Sequence, residues 1–268
     1  LTSNRITRSL PNSGETNFGF SKRSIGMIKV RNLHKYYDGQ HVLKGINLDI
    51  ADQEILVILG ESGSGKTVLL KHLIGLEFPD EGMVEINGVD ITRLSESELL
   101  KVRRGIGYLF QEGALYDFFT VRENVAFPLR EHSTMTWNDI WAKADHLLEM
   151  VGLSHAKDKM PSELSGGMKK RAALARAVVL DSKILLCDEP TSGLDPIRSQ
   201  EISDLIKEIT RQIGSTTVAT SHDIHNAFRL ADRLVLIRDG QILKQGTARD
   251  FQQADDEFIQ KFLSVSER

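Results

Sequence analysis

The run Gly60-Glu61-Ser62-Gly63-Ser64-Gly65-Lys66-Thr67 is the segment of this chain best equipped for chemistry. It fits G-x-x-x-x-G-K-[ST], a spacing in which backbone N–H groups curl around a phosphate, the lysine reaches the terminal phosphates and the hydroxyl can ligate a divalent cation. The helix that follows, with Val68 in its first turn, adds its positive N-terminal end. Far downstream, the apolar run Ile184-Leu185-Leu186-Cys187 delivers Asp188 and Glu189 at its end. One carboxylate there can hold Mg²⁺ through water, and its neighbour can polarise an attacking water as a general base. A third segment, Leu164-Ser165-Gly166-Gly167-Met168, sets a serine and two glycines just before a helical pattern, again a helix start that can face an anion. If this second phosphate element cannot fold onto its own glycine loop, it must serve a partner copy, in a head-to-tail dimer with shared sites.

Bringing these groups together requires strands that end where helices begin. Glu54 to Leu59 reads as a buried strand running into the glycine loop, and Thr67 to Leu76 as the helix after it. Ile28, Val30 and Leu33 begin a strand, and Val42 to Ile50 alternates with period 2. Asn87-Gly88 and Asp239-Gly240 between apolar runs predict type I′ hairpins, and Ser95-x-x-Glu98 is a capping box. Residues 137–180 read as helical, interrupted by Pro161 and the Ser165-Gly166-Gly167 turn; Ile184 to Cys187 and Thr216 to Ala219 are short buried strands. The pattern predicts an α/β fold: a core of mainly parallel sheet, an antiparallel β subdomain and a helical subdomain spanning about 112–180. The expected organisation is an extension over 1–26, a nucleotide-binding domain over 27–250 and a helical tail over 251–268.

Composition removes several alternatives. The 268 residues are 40% hydrophobic, enough for a substantial core, and 34 Lys and Arg against 37 Asp and Glu leave a net charge of -3. No basic footprint for nucleic acid results. A single cysteine, Cys187, forms no internal disulfide and excludes a four-cysteine zinc site, which suits a reducing compartment. The longest apolar run, Ile55 to Leu59, is five residues, whereas a spanning helix needs about 20. Residues 1–26 are rich in Ser, Asn, Thr, Gly and Arg, with Glu15 as the only acid, and predict disorder. They read either as an organellar transit peptide or as an extension upstream of a start at Met27.

In order and spacing, the motif set resembles the ATP-binding-cassette ATPases, over residues 28 to about 247. The resemblance implies a P-loop NTPase that binds ATP and Mg²⁺, with Glu189, His222 and Lys66 in catalysis and Thr67, Gln111 and Asp188 around the metal. Gln111 corresponds to the glutamine that senses Mg²⁺ and couples to a membrane partner, Ser192-Gly193-Leu194-Asp195 to the D-loop, and His222 to the switch histidine. Residues 60–68, Ser165, Gly166, Gly167 and Asp195 then belong to the nucleotide site, and Tyr37 takes the place of the adenine-stacking aromatic, with Tyr36 as its competitor. His222-x-x-His225 also has metal-ligand spacing, but no third ligand cluster accompanies it. The run Lys169-Lys170-Arg171 reads as a solvated helix face, with contact to lipid headgroups or the partner as the alternative.

Two stretches, 102–116 with 124–131 and 160–168 with 171–177, are similar to the nucleotide-binding subunits of Mla/Mce-type phospholipid transporters; the alternatives are a cassette of another transporter subtype, for lipoprotein release or small-solute import, and a soluble non-transport cassette ATPase. Met168 departs from the superfamily's usual glutamine in the way this subfamily does. That resemblance implies a homodimer on the cytoplasmic face of the inner membrane, a homodimeric permease, an Mce-type substrate-binding protein and room for a small STAS-like regulator. Leu115, Tyr116, Phe118, Phe119 and Phe127 form an apolar group just past Gln111. It either docks a permease helix or packs locally.

Overall fold

The computed structural model describes residues 28–265, so the expectations for residues 1–26 lie outside it. Ile28–Tyr37 (β1) and Gln40–Ile50 (β2) form a long hairpin closed by Asp38-Gly39, whose φ values of 47° and 81° make a type I′ turn. Ile55–Leu59 (β3) leads through the glycine loop into Lys66–Leu73 (α1). Glu81–Ile86 (β4) and Val89–Asp90 (β5) flank the expected Asn87-Gly88 turn, and Ser95 and Glu98 cap Glu96–Arg103 (α2) reciprocally. Ile106–Leu109 (β6) precedes Val121–His132 (α3), Trp137–Met150 (α4) and Gly166–Val178 (α5), each opened by a Thr or Ser cap. The chain continues through Ile184–Cys187 (β7), Pro196–Ile213 (α6), Thr216–Ser221 (β8) and Ile224–Leu230 (α7). Arg233–Arg238 (β9) and Gln241–Gly246 (β10) pair across Asp239-Gly240, and Ala248–Gln252 (α8) and Glu257–Val265 (α9) follow.

The strands form two sheets: an antiparallel one in the order β2-β1-β4-β5, and a six-stranded one in the order β10-β9-β3-β8-β7-β6. In the larger sheet only the β9–β10 pair is antiparallel. Side chains of successive strand residues point to opposite faces, and here the two faces feed two separate cores. Ile55, Val57 and Leu59 of β3, with Leu185 and Cys187 of β7, pack towards α3, α4, α5, α6 and α7. Leu56 and Ile58, with Ile184 and Leu186, pack towards α1 and the antiparallel sheet through Ile28, Val30, Leu33 and Leu43. Central strands buried on both faces favour apolar side chains, which is why β3 and β7 read as unbroken runs, whereas β8 between them buries threonines such as Thr217 and Thr220 whose hydroxyls are hydrogen-bonded.

Two boundaries differ from the sequence expectations. The first helix stops at Leu73 rather than Leu76, because Gly75 turns left-handed at φ 67° and Leu76 N–H bonds the Lys71 carbonyl at 2.9 Å. At the C-terminus, α8 spans the expected boundary at residue 250, and Phe251, Ala254 and Ile259 are buried in the main core.

Gly107 sets how closely β6 lies against α5. A β-carbon there would sit 2.2 Å from the Ala177 carbonyl oxygen, a backbone atom with no freedom to swing away. Gly107→Ala should therefore destabilise the protein by about 1–3 kcal/mol, the usual range for overpacking. Equilibrium denaturation should show a lower midpoint with an unchanged m-value.

Candidate functional site

The parallel strands β3, β8, β7 and β6 lie side by side and end on the same edge. Register makes this concrete: Leu59 pairs with Ser221, and Cys187 with both Ala219 and Leu109. The glycine loop, His222, the pair Asp188 and Glu189, and Gln111 follow those strand ends, so segments far apart in sequence meet along one rim. Ligands of open α/β sheets bind at this carboxyl edge.

The loop is held from outside as well as within. A β-carbon on Gly60 would lie 2.5 Å from both the Ile237 carbonyl and Ser64 Oγ. Gly65 adopts φ 103° and approaches Leu43, so β2 presses on the loop's far side. Lys66 is buried, and its ammonium donates to the carbonyls of Gly60 at 3.0 Å and Glu61 at 3.1 Å. It also lies 3.6 Å from a Glu189 carboxylate oxygen.

Asp188 is 6% exposed, and its Oδ1 accepts from the Thr67 hydroxyl at 3.0 Å and the Thr220 hydroxyl at 2.8 Å. The Thr220 oxygen in turn accepts from Glu189 N–H at 2.9 Å. Tyr108 bonds Asp188 as well; burial, reinforced by the Asp188 charge, raises the Tyr108 hydroxyl pKa well above its ordinary value. Glu189 stands at φ 43°, a left-handed conformation costly for a side-chain-bearing residue, which turns its carboxylate towards Lys66 and His222. His222 Nδ1 lies 3.3 Å from the other Glu189 oxygen. Thr67 and Asp188 place hard oxygen atoms 3.0 Å apart, a donor set that suits Mg²⁺ completed by phosphate and water oxygens. Among the described residues no group of three or more His, Cys, Asp or Glu is arranged to hold a metal ion, so His222 and His225 gain no third ligand.

Gln111 is exposed, two residues beyond the end of β6. Ser165 caps α5, and its oxygen accepts from Met168 N–H at 3.4 Å. Gly166 approaches Leu194 and Gly167 approaches Arg198, so this segment packs beside the start of α6; no hydrogen bond among the described residues joins it to residues 60–67. Asp195 caps α6 and pairs with Arg198 at 3.3 Å. Tyr36 stacks on His41 at 4.1 Å, while Tyr37 bonds Glu77 and carries Lys35 above its ring. Neither tyrosine has a ring contact or hydrogen bond to the glycine loop among the described residues.

The expectation of a solvated Lys169-Lys170-Arg171 face is corrected: Lys170 is buried, and Arg171 is bound to the Val151 carbonyl and Glu201. The spacing held a signal, since 167, 170, 174 and 178 fall on one helical stripe and all are buried. Thr220 and Tyr108 also escaped the sequence reading; both sit in short buried strands with nothing local to mark them.

This sheet edge, with its phosphate loop, acidic pair and histidine, defines a P-loop ATPase. Residues 43–192 match the ABC transporter family, and the chain belongs to that family as an ATP-hydrolysing cassette. It is 40% identical over 237 residues to the intermembrane phospholipid transport ATP-binding protein MlaF of Haemophilus influenzae, covering 88% of this chain and 90% of that one. It is also 40% identical to the probable ribonucleotide transport ATP-binding protein mkl of Mycobacterium leprae, covering 88% and 68%. The methionine import protein MetN of Mannheimia succiniciproducens is 41% identical over 243 residues, covering 88% and 70%. Among solved structures, cbiO1 of Clostridium perfringens, part of the transporter complex cbiONQ, superposes with a TM-score of 0.79 at 32% identity, covering 91% of this chain and 98% of that one. A dimeric cassette in a post-hydrolysis state with ADP and Pi gives 0.76 at 34% identity, covering 82% and 98%.

Thr220→Val keeps the shape of the side chain but leaves Glu189 N–H and one Asp188 interaction unsatisfied. Loss of about 1–3 kcal/mol of stability is expected for such buried groups, together with slower ATP turnover. Thermal unfolding and a phosphate-release assay on one preparation check both effects.

Proposed function

We propose that the chain powers a transporter that moves phospholipids between membranes. It would act as a homodimer on the cytoplasmic face of the inner membrane, beneath an Mla/Mce-type permease. An Mce-type substrate-binding protein and a small STAS-like regulator would complete the assembly. The lipid reading is carried by one observation: at near-equal identity, the alignment extends over 90% of the Haemophilus MlaF but only 70% of MetN and 68% of mkl. The described residues contain no helix long and apolar enough to cross a membrane.

Residues 60–68 cradle the phosphates of ATP, and Lys66 exchanges the Gly60 and Glu61 carbonyls for phosphate oxygens. Tyr37 stacks on adenine, a role supported by the existing pairing of Tyr36 with His41. Thr67 and Asp188, with Gln111, would hold Mg²⁺, which would neutralise charge on the phosphates. Glu189 takes a proton from water as its oxygen attacks the γ-phosphorus; the bond to the bridging oxygen breaks and its electrons leave with ADP. His222 hydrogen-bonds the γ-phosphate and steadies Glu189. Ser165, Gly166, Gly167 and Asp195 face the nucleotide held by the partner copy.

The groove just past Gln111, about 560 Å³, is lined by Leu100, Arg104, Tyr108, Tyr116, Phe127 and Arg176. Beside it Phe118 is 71% exposed and rests on the rings of Tyr116 and Phe119. The buried Asn124 fixes this loop, donating to the carbonyls of Tyr116, Phe119 and Thr120 and accepting from Tyr116 N–H at 2.8 Å. This surface is the proposed seat of a cytoplasmic helix of the permease.

Glu189→Gln should bind ATP yet turn over at least about 100-fold slower, the low end of a general-base contribution, and should accumulate as an ATP-held dimer on size-exclusion chromatography. Ser165→Arg should block that dimer without weakening nucleotide binding at its own loop. Normal hydrolysis by Ser165→Arg would refute the shared sites.

Phe118→Asp should leave ATP binding intact while abolishing co-purification with the permease and lipid transfer between liposomes. Mass spectrometry of the complex purified from membranes separates lipid transport from solute import: co-bound phospholipid supports the first, uptake of a small solute without it the second. Undiminished lipid transfer by Phe118→Asp would remove this surface from the coupling path.

A further inference from the structure

Lys170 is 6% exposed although it lies between two basic residues on α5. Its ammonium donates to the Gln111 carbonyl, lies 3.5 Å from the Glu189 carbonyl and 3.4 Å from the Ser192 hydroxyl. An ammonium has three N–H donors and no acceptor, so these oxygens match its capacity. No carboxylate of the described residues forms an ion pair with it. Burial lowers its pKa, and the nearby charges of Glu112, Glu189 and Asp188 partly offset that effect. A lysine held without a paired carboxylate, where the helix pattern calls for an apolar residue, costs stability and therefore asks for a reason.

The acceptors supply it, since they lie on two separate segments of the catalytic edge. Gln111 follows β6, while Glu189 and Ser192 share the turn between β7 and α6, where Ser192 N–H bonds the Glu189 carbonyl at 3.1 Å. The same helix grips the segment after Gln111 a second time, through Arg176, which donates to the carbonyls of Gly113 at 2.8 Å and Ala114 at 2.7 Å. Ser165, at the start of α5, lies five residues from Lys170, or about 7.5 Å along the axis. A helix this short moves as a rigid piece.

We propose that Lys170 is a positioning residue that ties the Ser165 end of α5 to the Gln111 segment and the Glu189–Ser192 turn of the same protomer, so that the two ATP sites of the dimer respond together. The inference rests on the reading that Ser165 serves the partner's nucleotide. When the partner's ATP draws Ser165 in, α5 carries Lys170 with it, and the backbone at Gln111 and Glu189 follows. Closure at one site thereby sets the geometry of the water-activating carboxylate at the other.

The test uses the full chain with Lys170→Met, of similar length but without donors, and Lys170→Arg, which keeps them. Lys170→Met should hold its ATP affinity while kcat falls about tenfold or more at nearly unchanged KM, the pattern of a misplaced catalytic group. Its dependence on ATP concentration should lose cooperativity, and Lys170→Arg should recover most of the turnover. Should Lys170→Met fail to fold, Lys170→Gln, polar but too short to span the three oxygens, should show the same loss of kcat. Wild-type kcat and cooperativity in Lys170→Met or Lys170→Gln would overturn the proposal, as would an equal defect in Lys170→Arg. Glu189→Gln with Lys170 intact serves as the control. Its failure to form an ATP-held dimer would refute the shared-site reading itself, whereas a normal dimer with unimpaired Lys170→Met turnover would refute only the role of Lys170.

Discussion

One carboxylate oxygen anchors the catalytic edge. Asp188 Oδ1 receives hydroxyls from α1 and from β8, and the second of these, Thr220, also receives the backbone N–H of Glu189. A buried carboxylate is expensive unless donors satisfy it, so this small polar ring forms only when the ends of β3, β7 and β8 come into register. Once formed it fixes the direction of Thr67, the turn at Glu189 and, through Glu189, the neighbourhood of Lys66 and His222. Disturbing any one of these strands displaces the chemistry of the other two.

The six-stranded sheet can hold that register because it is clamped between two cores that use alternate residues of the same strands. The antiparallel subdomain contributes more than burial. Leu43 meets Gly65 on one side of the phosphate loop, Lys44 N–H bonds the Gly240 carbonyl at 2.8 Å, and the Ile237 carbonyl crowds Gly60. The loop is therefore shaped by the end of β9 and by β2, both remote in sequence, as well as by its own glycines.

The helical subdomain converts this edge into a surface. α5 carries Ser165 at its start, grips the segment after Gln111 through Lys170 and Arg176, and packs on α3 and α4. Asn124 of α3 then sets the aromatic loop at the groove. Hydrogen bonds and packed helix faces thus join α5 to the loop that carries the exposed Phe118.

What the sequence determined by itself was whatever local pattern can specify. The glycine loop, the Asp188-Glu189 pair at a strand end, the Asn-Gly and Asp-Gly hairpins and the Ser95 capping box all depend on residues adjacent in the chain, and all stand where the pattern put them. The cysteine count and the net charge bounded the chemistry in the same way. Tertiary structure decided everything that depends on side chains meeting from distant segments. Thr220 looks like any residue of a buried strand until β8 lies beside β7, and Tyr108 until β6 lies on its other side. Lys170, inside a run of three basic residues, reads as solvated until α5 lies over Gln111 and Glu189. Hydrogen-bond partners of this kind are chosen by strand order and helix placement, which arise from burying two cores at once and leave no mark on the residue's immediate neighbours.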